Sequence, residues 1–251
     1  MGKVRYQQIA SKLLKTAVIR RDPALAEYIP ETRWYSKDAL AEMLAKYSTV
    51  YLKPDKGTGG GGIIRLRRLN NNCVEYKDLY RRRVVPFYQL VRVLERRLTP
   101  NRRYLIQKGI SLASIQGCPF DIRVFLQKPQ RKWLISGIAA KIAKPGKIVT
   151  NYCKGGQPCD IFKALYLATA KNQEIAKKIF VELYYISKEI AKILNKRFLG
   201  LRELGIDLGI DKQNRIWIFE VNTNPNFQLF KKIGNREMYH CIRRRHRQFV
   251  R

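Results

Sequence analysis

Acidic residues are scarce in this sequence, and the scarcity limits its partners. Nineteen Asp and Glu stand against 51 Lys and Arg, a formal net charge of +32 at pH 7. Such a surface repels cationic partners and draws anionic ones: nucleotides, nucleic acid, anionic polymers or membrane surfaces. Histidine is scarcer still, with two residues. No Ser/His/Asp or Cys/His constellation can be assembled from them, which argues against a triad-type nucleophilic enzyme. The five cysteines (Cys73, Cys118, Cys153, Cys159, Cys241) form no CxxC pair and are odd in number. Zinc and a disulfide framework are therefore both disfavoured. No segment approaches the roughly 18 apolar residues of a membrane span. The opening MGKVRYQQIASKLLK has no signal-peptide apolar core, and Tyr6 stands where a myristoylation signal wants Ser or Thr. The cytoplasm is the expected compartment. Internal repeats and low-complexity segments are lacking too.

What is present is enough apolar residue, 45% over 251 positions, to bury a core in one or two subdomains. The most informative stretch is Gly205 to Pro225, GIDLGIDKQNRIWIFEVNTNP, which reads as an antiparallel hairpin. Ile216, Ile218, Glu220 and Asn222 alternate with Trp217, Phe219 and Val221, so Glu220 and Asn222 project the same way. Pairing Ile210 with Arg215 across the turn sets Asp207 opposite Ile218 and diagonal to Glu220. Two carboxylates and an amide carbonyl then converge, a hard oxygen set that suits Mg²⁺. A hairpin with merely acidic ends is the bland alternative; against it, Glu220 ends an apolar strand where an unpaired charge is costly.

A second chemical signal is strand, glycine loop, strand. Thr49 to Lys53 runs into Pro54-Asp55-Lys56-Gly57-Thr58-Gly59-Gly60-Gly61-Gly62, and Ile63 to Arg68 returns as a strand. Glycine backbones can approach phosphate oxygens closely, with Lys53 as a nearby point charge; a flexible turn is the alternative. The loop is neither a Walker loop, having no GKS or GKT, nor a Rossmann fingerprint, because no helix pattern follows. Elsewhere a short helix near Ile9 to Ile19, a helix capped by Ser36, helices over Pro86 to Leu98 and Glu174 to Lys196, and strands over Tyr104 to Gln107, Phe120 to Gln127 and Lys132 to Ile142 are expected. Arg123, flanked by apolar strand residues, expects a carboxylate or phosphate partner. Lys141 near a strand end has the same character. The tail from His240 to Arg251 reads as surface or anion-binding.

In order, Tyr28-Ile29-Pro30-Glu31-Thr32, Tyr51-Leu52-Lys53-Pro54 with Gly57-Thr58-Gly59-Gly60, Asp121-Ile122-Arg123-Val124, Thr150-Asn151-Tyr152 and the 205–225 hairpin resemble the ATP-grasp superfamily. More narrowly they resemble its endospore coat-associated YheC/YheD-like branch. The resemblance implies an α+β fold of two subdomains clasping ATP. Residues 36–226 would form the grasp, divided at 110/111, between a basic extension (1–35) and a basic tail (227–251). It implies Lys53 and Lys141 on phosphates, a Gly57, Thr58, Gly59, Gly60, Gly61, Gly62 loop over them, and Gln107, Lys108, Gly109 and Ile110 as the adenine-side hinge. Arg123, Lys141 and Asn151 would act at the transferred phosphoryl group, and Asp207, Glu220 and Asn222 would hold Mg²⁺. Where many members carry an acidic ribose ligand, Lys108 is basic. The segment before Lys53 is short for the preceding α/β domain of these ligases, so the acceptor surface would be reduced or supplied by a partner protein. The implied activity is a carboxylate–amine ligase working through an acylphosphate, here on an anionic peptide or polymer. A non-catalytic, spore-associated nucleotide-binding protein and a basic nucleic-acid-binding protein are the alternatives.

Overall fold

The computed structural model describes residues 6–57, 61–69, 72–144 and 156–250. The chain divides into two compact units, one formed by residues 6–29, 112–144 and 156–250, the other by Pro30–Ser111. The first begins with helices α1 (Lys12–Arg20) and α2 (Pro23–Ala26). Ser11 caps α1 by accepting from the Leu14 N–H.

The Pro30–Ser111 unit holds β1 (Thr32–Trp34), α3 (Lys37–Lys46), β2 (Thr49–Pro54), β3 (Ile64–Arg68), β4 (Cys73–Lys77), β5 (Arg82–Pro86), α4 (Phe87–Glu95) and β6 (Tyr104–Lys108). Its strands form an antiparallel sheet in the order β1-β6-β2-β3-β4-β5. As expected, Ser36 caps α3, its hydroxyl accepting from Ala39 N–H at 3.0 Å. The helical spacing then turns Leu40, Met43 and Leu44 onto Val50, Leu52, Ile64 and Leu66, and Leu90 and Leu94 of α4 complete the core. Period-two alternation in β2 buries Val50 and Leu52 and sends Thr49, Tyr51 and Lys53 to the opposite face. That face carries the chemistry of this unit.

The other unit continues with β7 (Ser114–Ile115), β8 (Cys118–Gln127), β9 (Leu134–Ile142), β10 (Gln157–Asp160), α5 (Ile161–Ala168), α6 (Gln173–Arg197), β11 (Glu203–Ile210), β12 (Ile216–Asn222), a 3-10 turn (Gln228–Lys232) and α7 (Arg236–Arg247). Its sheet runs β10-β9-β8-β11-β12, with β7 paired to β8. One face packs on α6 through Ile179, Leu183, Ile186, Ile190 and Leu194. Asn172 caps that 25-residue helix, and Lys196 and Arg197 in its last turn suit the carbonyl end of its dipole.

The division differs from the sequence expectation at both ends. Residues 6–29 are part of the second sheet's unit, because Ile19 and Leu25 join its core and Ile9 N–H donates to Thr223 Oγ1 at 2.8 Å. Thr32–Trp34, expected in the extension, is an edge strand of the first sheet. The basic tail is no bare surface: Leu229, Phe230 and Ile242 pack with Phe125 and Ala139 as a separate cluster. The hairpin register is also corrected. Ile210 faces Ile216, and a bulge after Asp207 sets Asp207 directly opposite Glu220. Asp211 fixes the turn, accepting from the N–H groups of Gln213 and Arg215 and from Trp217 Nε1.

Candidate functional site

The unit built on β8, β9, β11 and β12 concentrates its charges on one face. Directly paired residues of an antiparallel sheet share a face, and the register pairs Arg123 with Asp207, Asp207 with Glu220, Asp121 with Lys141 and Gly205 with Asn222. Arg123 grips Asp207 with both forks, Nε to Oδ1 and Nη2 to Oδ2, each at 2.9 Å. Lys141 Nζ lies 2.8 Å from Asp207 Oδ1 and 2.9 Å from Asp121 Oδ1, and is 2% exposed. Asn222 Nδ2 donates weakly to Asp207 Oδ2 at 3.4 Å, while Glu220 lies 3.6 Å from Lys12 Nζ of α1. Gly205 leaves the room that Arg123 uses: a Cβ there would sit 2.5 Å from Pro225 and 3.0 Å from the Arg123 Nη1.

Burial by itself would raise the Asp207 pKa, but the charges of Arg123 and Lys141 prevail and hold it at about 2. Burial likewise opposes the charges on Lys141 and Arg123, and the neighbouring carboxylates outweigh it, raising both. Asp207, Arg123 and Lys141 are therefore ionised throughout the neutral range. The cluster's oxygen donors, two carboxylates across a strand pair and an adjacent side-chain amide, fit Mg²⁺, which takes one or two carboxylates and completes its shell with phosphate and water. No group of three or more His, Cys, Asp or Glu suited to a metal occurs among the described residues, which sets this donor set apart from an all-protein cage.

In the Pro30–Ser111 unit, Lys53 Nζ donates to Gln107 Oε1 at 2.6 Å, and Gln107 Nε2 donates to Thr32 Oγ1 at 2.9 Å. The expected phosphate lysine and hinge glutamine are thus neighbours on the face of β2 and β6 turned away from the α3 core, with Gln107 itself buried. Lys108 N–H donates to the Glu31 carbonyl, and its ammonium stands 5.1 Å from the Tyr47 ring centroid. Gly109 N–H donates to the Thr49 carbonyl, and Ile110 is half-buried. Gly57 adopts a φ of +135°, open to glycine, beside Arg102, whose Nη2 donates to the Lys56 carbonyl at 2.6 Å. Gly61 and Gly62 form the turn into β3. Thr58, Gly59, Gly60 and Asn151 lie outside the described residues.

Sequence reading missed Asp121 as a partner of Lys141, although its place two residues before Arg123 puts both on one face. It also missed Glu75, buried under three arginines in a strand that was not foreseen.

The sequence matches the YheC/D like ATP-grasp family over residues 5–251. The chain belongs to that family. Among curated relatives of this YheC/D-like ATP-grasp chain are the endospore coat-associated proteins YheD and YheC of Bacillus subtilis (strain 168). YheD is 27% identical over 228 residues, 85% of this chain and 48% of YheD. YheC is 23% identical over 230 residues, 89% of this chain and 62% of YheC. The chain thus spans about half to three-fifths of these relatives. Solved structures share the fold. The D-cycloserine synthetase DcsG aligns with a TM-score of 0.57 at 11% identity, covering 95% of this chain and 70% of DcsG. The N5-carboxyaminoimidazole synthase of Aspergillus clavatus, solved with ADP and 5-aminoimidazole ribonucleotide, gives 0.52 at 13% identity, over 87% and 45% of the two chains. The ATP-grasp ligase PsnB, complexed with a phosphomimetic variant of its minimal precursor, Mg and ADP, gives 0.51 at 14% identity, over 95% and 59%. The α+β architecture of two sheets with their helices is the ATP-grasp fold.

Proposed function

We propose that this protein binds Mg-ATP and acts as an ATP-dependent carboxylate–amine ligase on an anionic peptide or polymer. The observation that carries the reading is the paired Asp207 and Glu220 with Asn222 beside them, in a chain of the ATP-grasp family. Lys53 and Lys141 would meet phosphate oxygens, and the 57–62 loop, including Thr58, Gly59 and Gly60, would supply backbone N–H groups. Gln107 to Ile110 would hold the base. Asp207, Glu220 and Asn222 would hold Mg²⁺, which neutralises phosphate charge when bound. Arg123 and Asn151 would orient the γ-phosphoryl group, Arg123 being held in place by its fork on Asp207.

In the reaction, a substrate carboxylate oxygen forms a bond to the γ-phosphorus as the bridging P–O bond breaks, releasing ADP. An amine nitrogen then bonds to the acyl carbon, the acyl C–O bond breaks, and phosphate leaves; the amine proton passes to water or phosphate. This chemistry needs no protein nucleophile, only positioning and charge stabilisation. The net charge of +32 supports an anionic acceptor, and the endospore coat association named for the relatives supports a place at the spore.

One observation favours a second reading. Asp207 already spends both carboxylate oxygens on Arg123 and Lys141, an arrangement that also suits a non-catalytic, nucleotide-binding assembly protein. Coupled assay of ADP release separates the two. The ligase reading expects release that rises several-fold when glutamate peptides and an amine donor are supplied together. ATP binding without acceptor-dependent release, across peptide and polymer acceptors, would leave only the second reading.

A further inference from the structure

The face of the Pro30–Ser111 sheet turned away from the α3 and α4 core carries a row of side chains running across the strands, buried at Thr32 and Gln107 and exposed at Arg82. Register pairs Thr32 with Gln107, Gln107 with Tyr51, Tyr51 with Arg65, Arg65 with Lys77 and Lys77 with Arg82. All six therefore point the same way, and Lys53 joins them through its bond to Gln107. A parallel row sets Arg67 opposite Glu75 and Glu75 opposite Val84. Among the described residues, Arg65, Arg67 and Arg82 thus gather on one acid, Glu75, at this end of the sheet, with Lys77 in the row of Arg65 and Arg82.

That acid is buried, 1% exposed, and takes Arg65 Nη2 at 2.6 Å, Arg82 Nε at 2.6 Å and Arg67 Nη2 at 3.3 Å. Burial opposes its charge, but the three guanidiniums hold its pKa below the ordinary glutamate value. A purely structural pair would need one arginine. Each guanidinium offers five N–H donors and a carboxylate about four acceptor sites, so three guanidiniums that each meet one carboxylate through a single nitrogen leave donors over. Arg65 Nε is buried with no hydrogen-bond partner among the described residues. Like charges directly opposite one another destabilise a sheet, yet Arg65, Lys77 and Arg82 stand in sequence across three strands. Local rules broken in this way mark functional surfaces.

We infer that this arginine–lysine row is a binding site for the carboxylates of an extended acidic peptide. As the acceptor's anchoring site it rests on the ligase reading above; as a binding site it stands on the sheet alone. Guanidinium forks match carboxylates geometrically. Arg65 and Arg67, two residues apart on β3, are separated by about 6.8 Å along the strand, the spacing of alternate side chains in an extended peptide. The transverse row from Arg65 to Arg82 spans two strand spacings, roughly 9.6 Å, too wide for one phosphate and suited to several carboxylates. A single-stranded nucleic acid would want a succession of aromatic platforms, and this row offers Tyr51 alone.

The test is fluorescence anisotropy of a labelled hexaglutamate peptide with the full chain at low ionic strength. The site variant is Arg67→Gln with Arg82→Gln, the two most exposed arginines of the cluster at 46% and 65%, which leaves Arg65 on Glu75. The control is Arg243→Gln with Arg244→Gln on the exposed face of α7, removing the same charge elsewhere. The site pair is expected to weaken binding about tenfold or more, and the control less than about twofold. Arg82→Gln alone, at a largely solvent-exposed position, should give an intermediate loss and serves should the double variant unfold. Equal losses in site and control variants would overturn the inference. So would a hexathymidylate that binds more tightly than the peptide and depends on the same arginines. The thermal shift with ATP, measured on the same variants, keeps the two claims apart. An intact ATP shift with peptide binding indifferent to the arginines ends this site and spares the ligase reading; arginine-dependent peptide binding without any ATP shift does the reverse.

Discussion

Asp207→Ala is expected to destabilise the protein by about 3–5 kcal/mol, because it removes one partner of a buried charge cluster and strands the others. Arg123 loses both acceptors of its fork, and Lys141 keeps only Asp121. Urea denaturation followed by far-UV circular dichroism checks this; a loss under about 1 kcal/mol would mean that water reaches the cluster freely, as at an exposed ion pair. The same cluster sets a pH dependence. The folded-state pKa of Asp207 lies at about 2, below the 3.8 of a free aspartate. Its contribution is therefore complete above the unfolded-state pKa and is lost as pH falls from about 5 toward 2, amounting to about 2 kcal/mol. The wild type should lose stability over that window, and the Asp207→Ala protein should show a shallower acid slope.

Glu203→Ala is expected to cost a comparable amount, about 3–5 kcal/mol, and to release both chain ends from the second sheet. Glu203 is fully buried at the start of β11. Its Oε2 accepts from the Tyr6 hydroxyl at 2.7 Å and lies 2.8 Å from His246 Nδ1 of α7, while Oε1 accepts from Gln127 Nε2 at 2.8 Å. Gln127 Nε2 also donates to the Ile242 carbonyl, and the Tyr6 and Phe249 rings meet edge-on at 6.0 Å. Burial and the adjoining carboxylate push the Tyr6 phenol far above its ordinary pKa, so it remains a donor. Removing the carboxylate leaves the Tyr6 hydroxyl without its acceptor, leaves Gln127 Nε2 with the Ile242 carbonyl alone, and opens a void beside them. Limited proteolysis should then cut within 236–250 in the variant under conditions where the wild type resists. Unchanged protease resistance together with unchanged stability would show that α7 is held without Glu203, by the packing of Ile242 and Phe230 and by the hydrogen bonds from Gln127 to the Ile242 carbonyl and from Arg245 to Ser136.

The elements that the sequence made legible were those with one clean period. Alternation in Thr49–Lys53 and Phe120–Gln127, and the stripe from Ile179 to Leu194, were plain because one face of each is nearly all apolar. Strands β4 and β5 were not, because Glu75 and Arg82 belong to a charged face and Arg83 interrupts the apolar one. Helix α7 escaped for a related reason: arginines dominate it, and its one fully buried residue, Ile242, makes no stripe. In the hairpin, the shared side of Glu220 and Asn222 was readable from alternation, but the bulge beside Asp207 was not. Such an extra residue depends on the packing of Phe219, whose ring lies 2.4 Å from where a Cβ on Gly209 would stand. The fork between Arg123 and Asp207, 84 positions apart, follows from strand order, which no local pattern encodes.

The most direct test of the nucleotide reading is a thermal-shift titration of ATP with and without Mg²⁺, on wild type and on Glu220→Gln. Ligand at about a hundred times its Kd stabilises the native state by roughly 2.7 kcal/mol, a rise of roughly 5–10 °C for a chain of this size. Wild type with Mg²⁺ is expected to show that rise, wild type without it a smaller one, and Glu220→Gln a weakened one. A folded wild type that shows no shift at millimolar ATP, or one whose shift ignores both Mg²⁺ and the loss of the Glu220 charge, would contradict the nucleotide reading.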